Sequence, residues 1–167
     1  RTMSTESTPA AGFKPKKSVA LSGVTAGNTA VCTVGRSGND LHYRGYDIKD
    51  LAEHATFEEV AYLLVYGELP TASALRAYVA KLKRLRGLPQ PVKAALELLP
   101  ASTHPMDVMR TGCSVLGTVL PERDSHPVAE ARDIADRLMA SFGSMLLYWY
   151  HYSHNGRRVE VETGDET

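Results

Sequence analysis

The alternation of apolar and polar positions divides the chain into an unpatterned start, a short β-rich stretch and a series of helices. Residues 1–18 are rich in Ser, Thr, Pro, Ala and Lys and carry no apolar period, so a flexible arm is expected there. Thr29 to Val34 is short and β-branched, Gly35 to Asp40 is dense in turn formers, and Leu41 to Arg44 supplies a returning strand. Residues 19–46 are therefore expected to form a small β ribbon with a turn at Tyr43, Arg44 and Gly45, where Gly tolerates backbone angles that bulkier residues avoid.

From Asp47 the pattern turns helical. Asp47 caps a short helix carrying Ile48 and Leu51. Thr56 and Glu59 form a capping box, and an apolar run follows at once. Phe57, Val60, Ala61, Leu63, Leu64 and Val65 leave almost no polar face, which predicts a helix buried on most sides. Gly67 ends it and Pro70 prevents its restart. Leu41 to Pro70 thus reads as a core helical hairpin around which the rest is organised.

Thr71 to Arg86 is amphipathic, with Leu75, Tyr78, Val79, Leu82 and Leu85 on one arc and Arg76, Lys81, Lys83 and Arg84 on the other. Gln90 to Leu99 follows, with Val92, Ala95, Leu96 and Leu99 inward. Pro105 suits the first turn of a helix from Met106 to about Val119. There Met109, Cys113, Leu116 and Leu120 share a face, and Gly112 and Gly117 permit close packing. The longest pattern runs from Val128 to Tyr152, with Ile134, Leu138, Phe142, Met145 and Trp149 in register and a kink or break expected at Gly143. Residues 47–158 are expected to form five or six helices joined by short loops, and 159–167 an acidic linker. The expected fold is all-α, preceded by the β ribbon.

Composition adds exclusions. Hydrophobic content of 43% in 167 residues can build a core. Nineteen basic residues balance nineteen acidic ones, which removes the strongest reason to propose nucleic acid. The Lys81 to Arg86 run (KLKRLR) could serve as a nucleic-acid or CoA-phosphate patch, and a solvated helix face explains it more simply. Cys32 and Cys113 are too few and too scattered for a disulfide framework and read as free, buried thiols of a reducing cytosol. No apolar stretch reaches the about 20 residues needed to span a bilayer.

Candidate chemistry is sparse. His151 and His154 lie one turn apart, but a metal site needs further ligands. His104 beside Asp107 suggests a base and its orienter, or simply a histidine bonding a helix N-terminus. Glu58 and Glu59 diverge by about 100° on a helix, so capping explains them better than paired acid-base work. Tyr148, Trp149, Tyr150 and Tyr152 suit stacking on an adenine ring, or a core. Arg157 and Arg158 suit a phosphate contact. GRSGND at 35–40 lacks the lysine-serine pair of a phosphate loop and reads as a turn. No nucleophile–base pair or convergent acid-base set is visible.

Four strings occur together in one order: SGVTAGNTAVCTVG, YRGYDI with FEEVAYLLVYGELP, HPMDVMRTGCSVLG, and LLYWYHYSHNGRR. From about Lys14 onward the chain resembles the citrate synthase family, its bacterial 2-methylcitrate branch in particular. The resemblance implies an all-α, cytoplasmic homodimer with a large and a small domain, condensing an acyl-CoA with oxaloacetate. It implies no bound cofactor and no metal, with propionyl-CoA (or acetyl-CoA) as substrate, in propionate catabolism. The family's two catalytic histidines and aspartate lie in motifs such as a His-Gly-Gly run and a Gly-His-Pro run. Neither run occurs here, and His104-Pro105 lacks the preceding glycine. No catalytic residue is carried over, and substrate-binding residues are left unassigned. The expectation is the N-terminal, catalytically incompetent part of a longer synthase, with an acetyl-CoA-using citrate synthase or a non-catalytic helical interaction module as alternatives.

Overall fold

A computed structural model describes residues 27–34, 40–120 and 127–160. The expected arm at 1–18, the turn at 35–39 and the acidic end at 161–167 lie outside the described residues. Among the described residues, three short strands, β1 (Cys32–Val34), β2 (Leu41–Tyr43) and β3 (Tyr46–Asp47), precede six helices. These are α1 (Ile48–His54), α2 (Phe57–Tyr66), α3 (Ala72–Leu85), α4 (Gln90–Glu97), α5 (Pro105–Val119) and α6 (Val128–Asn155).

The ribbon is antiparallel in the order β1-β2-β3, with Val34 opposite Leu41 and Tyr43 opposite Tyr46. The third strand was not expected. It exists because the turn is tighter than the sequence suggests: Arg44 and Gly45 alone make it, with φ of 51° and 91°. Two consecutive positive φ values match the twist of a two-residue hairpin, and Tyr43 is freed to pair within the strand. Arg44 then ties the ribbon to the helices. Its guanidinium donates to the Leu64 carbonyl at 3.0 Å, in the last turn of α2 where carbonyls lack helical partners.

Caps follow the sequence closely. The Asp47 carboxylate accepts from the Lys49 amide at 2.8 Å. Thr56 and Glu59 exchange both bonds of the capping box, and Gly67 closes α2 at φ 98°. Thr71 caps α3 by accepting from the Ala74 amide. His104 caps α5, its Nδ1 accepting from the Met106 amide at 3.2 Å.

The centre of the bundle is α6 rather than Leu41–Pro70. At 28 residues it is about 42 Å long, and it packs on α2, α3, α4 and α5. One core gathers Leu88, Val92, Leu96, Val108, Leu116, Met145, Tyr148 and Trp149. A second gathers Ala61, Tyr78 and Leu82, with Tyr62, Tyr66, Met139 and Ala140 packed against them. Helix α1 packs on β2 and β3, so 41–70 is no helical hairpin. Nor is α2 buried on most sides: Ala61 and Leu63 are buried, but Phe57 is 67% exposed.

Two further expectations are corrected. Helix α6 runs through Gly143 without a break, because its hydrogen-bonded turns are anchored in both cores. On α5 the inward stripe is Val108, Gly112 and Leu116, not Met109 and Leu120. A Cβ at Gly112 would sit 2.6 Å from Met145 Sδ, so this glycine sets the α5–α6 approach, whereas Gly117 has nothing within 4 Å.

Candidate functional site

A polar knot joins α2, α3 and α6. Tyr66 ends α2, Tyr78 and Lys81 lie one turn apart on α3, and Asp133 and Asp136 lie one turn apart on α6. Asp136 is completely buried. Its carboxylate accepts from Tyr66 OH at 2.8 Å, Tyr78 OH at 2.8 Å and Lys81 Nζ at 2.6 Å. Lys81 also donates to Asp133 at 2.6 Å and to Tyr66 OH at 3.2 Å. A buried carboxylate without such donors would be prohibitively unstable. The Arg132 guanidinium lies 5.1 Å from the centre of the Tyr66 ring.

Burial works against the charged Lys81, but its bonds to Asp133 and Asp136 prevail and raise its pKa. Burial, reinforced by the bond to Asp136, likewise raises Tyr66 and Tyr78. Each group is thereby held in one protonation state across neutral pH. A general base needs a lone pair facing substrate, and Asp136 is sealed from solvent. The knot is a lock between three helices.

Sequence reasoning missed Asp136 and misplaced Lys81, which is not part of a solvated face. The signal existed: Asp136, Ala140, Ser144 and Tyr148 recur every four residues on one stripe of α6. A carboxylate on a stripe that ends in Tyr148 requires a buried cation or hydroxyl partner.

A second polar cluster closes the far end of α6. Arg158 donates through Nε and one terminal nitrogen to the two oxygens of Glu97, at 2.7 and 2.8 Å. Tyr148 OH donates to the same carboxylate at 2.7 Å. These bonds, Arg158 foremost, hold the Glu97 carboxyl down at about 2. Burial and the bond to Glu97 push Tyr148 up to about 12. Trp149 Nε1 donates to the Leu99 carbonyl at 3.3 Å.

The remaining candidates separate. Tyr148 and Trp149 belong to the core, while Tyr150 is half exposed and stacks on His154 at 4.3 Å. Arg158 is engaged by Glu97, and Arg157 is exposed beside it. His151 and His154 face Tyr150 and Trp149 rather than carboxylates. Among the described residues, no group of three or more His, Cys, Asp or Glu could hold a metal ion. Asp107 pairs with Arg110 at 3.0 Å rather than with His104. Glu59 is spent on the capping box, while Glu58 lines a cleft.

Two open clefts flank α6. One, of about 390 Å³, is lined by Leu85, Cys113, Leu116, Leu120, Ile134 and Leu138 together with the charged Lys81, Asp133 and Arg137. Cys113 there and Cys32 in β1 are both free but only partly buried, not the buried thiols expected; what burial Cys113 has raises its thiol. The other, of about 360 Å³, is lined by Phe57, Leu82, Met139, Gly143 and Leu147, with Glu58 and Arg86. Both are apolar grooves between helices, and neither contains a nucleophile–base pair.

Comparison with known proteins supplies what this geometry does not. A family model described as "Citrate synthase, C-terminal domain" matches residues 20–167. The chain is 60% identical over 146 residues to the 2-methylcitrate synthase of Shewanella oneidensis, covering 87% of this chain and 38% of that protein. It is 42% identical over 110 residues to a citrate synthase of Mycolicibacterium smegmatis, covering 66% of this chain and 29% of that protein. The crystal structure of the citrate synthase from Thermotoga maritima superposes with a TM-score of 0.71 at 33% identity, over 84% of this chain and 36% of that one. The chain thus spans well under half the length of these relatives.

Proposed function

The chain belongs to the citrate synthase family, a family of acyltransferases, and on that premise we propose that it is the N-terminal part of a 2-methylcitrate synthase. The proposed reaction joins propionyl-CoA, oxaloacetate and water into 2-methylcitrate and free CoA, within propionate catabolism. One observation carries the reading: 60% identity over 146 residues to a 2-methylcitrate synthase, against 42% over 110 residues to a citrate synthase. The second value keeps an acetyl-CoA-using citrate synthase as the runner-up.

In this reading residues 47–158 supply part of the large domain and residues 159–167 lead into the remainder. The working enzyme is a cytoplasmic homodimer. The 167 residues alone are inactive, because the His-Gly-Gly and Gly-His-Pro runs are absent from the sequence and both polar clusters are spent on packing. Among the described residues no helix is long and apolar enough to cross a membrane.

The test is CoA release, measured with oxaloacetate and each acyl-CoA, by the longest protein containing this chain. A higher kcat/KM with propionyl-CoA than with acetyl-CoA supports the proposal. The reverse order favours the citrate synthase reading, and no release with either rejects both.

A further inference from the structure

Once α6 ends at Gly156, the backbone turns back along α4 and is fastened there twice. Arg158 makes its two-pronged bond to Glu97, the last residue of α4. One turn earlier on α4, Lys93 donates to both oxygens of Glu160 at 2.8 Å. Between them Val159 packs against the main core. Arg158 also lies 5.3 Å from the centre of the Tyr152 ring, in the last turn of α6.

The two pairs have opposite polarity. A carboxylate and then an ammonium on α4 meet a guanidinium and then a carboxylate on residues 158 and 160. Sliding the segment by two residues would place like charges together, so the pattern fixes register as well as contact. A single exposed ion pair would do little. Here the carboxylate is bidentate, is held by Tyr148 from within, and is only 15% exposed.

We propose that Glu97 is a positioning residue: with Lys93 it straps residues 157–160 to α4 and fixes the direction in which the chain leaves the α4–α6 corner. The proposal rests on the reading of this chain as part of a longer synthase. In that enzyme the strap orients everything that follows α6, and small misplacements of reacting groups cost large factors in rate.

Trypsin tests the strap directly, since it cleaves after Arg157 and Arg158. Glu97→Gln keeps the size and loses the charge, and should speed cleavage at these bonds by about fivefold or more relative to wild type, a change of about 1 kcal/mol. Arg158→Lys retains a cleavable cation but only one prong, and should fall between the two. Lys93→Gln loosens Glu160 while sparing Glu97 and should give a smaller increase. Cleavage of Glu97→Gln at the wild-type rate, with unchanged thermal unfolding, would overturn the strap.

In the longer enzyme Glu97→Gln should lower kcat by about tenfold at similar KM, with partial rescue in a Glu97→Asp variant. Unchanged kcat in an active enzyme would overturn the positioning role. An inactive wild-type enzyme would refute the proposed function, while the cleavage rates still decide the strap.

Discussion

Lys81 on α3 and Asp136 on α6 meet at 2.6 Å, with the carboxylate wholly removed from water. The pair is completed by two tyrosine hydroxyls at 2.8 Å, so the three helices share one satisfied polar centre. Removing one member leaves an uncompensated charge or donor in the interior.

Asp136→Ala should therefore destabilise the fold by about 3–5 kcal/mol, the usual cost of stranding a buried partner. Asp133→Ala, which removes only the outer and 68% exposed carboxylate, should cost about 1 kcal/mol or less. Chemical denaturation of both variants checks the order. Equal effects would mean that burial does not set the strength of this pair.

The glycines of α5 make a sharper contrast. Gly112→Ala places a Cβ 2.6 Å from the sulfur of the fully buried Met145, so the core must shift, at about 1–3 kcal/mol. Gly117→Ala meets nothing within 4 Å and should gain about 0.5–1 kcal/mol from helix propensity. A stabilised Gly112→Ala would show that the α5–α6 spacing is looser than described.

Glu97 links stability to acid. Its folded-state pKa, about 2, lies below the ordinary value of 4.5. A depressed carboxyl stabilises the fold at pH above 4.5, and that contribution fades as pH falls from 4.5 toward 2. The melting-temperature difference between wild type and Glu97→Gln should be constant at neutral pH and shrink across this window. A difference independent of pH would contradict the linkage.

The apolar clefts and the exposed Phe57 and Leu147, 67% and 60% accessible, predict self-association of the 167-residue polypeptide. Sedimentation should show species heavier than 18.2 kDa, and Phe57→Lys with Leu147→Glu should reduce them. A monodisperse monomer with a sharp thermal transition would contradict this.

Local structure was legible wherever one residue type forces one geometry. Asp47, Thr56 with Glu59, Gly67 and His104 all cap where their side chains and φ preferences indicate. Tertiary roles were less legible. Periodicity gives a helix face but not its neighbour, so it ranked α2 above α6 and placed Met109 inward instead of Val108. Charged residues were read as solvated by default, which hid Asp136 and Lys81 until their helices were brought together. The polar clusters around Asp136 and Glu97 were not legible as units, because each joins residues more than fifty positions apart in sequence.

Under the proposed function, this chain supplies scaffold while the chemistry belongs to the rest of a longer synthase. The direct measurement is release of CoA from propionyl-CoA in the presence of oxaloacetate, by the purified 167-residue polypeptide and by the longest protein containing it. No release above background is expected from the first, and steady turnover from the second. Turnover by the 167 residues alone would contradict this division of roles.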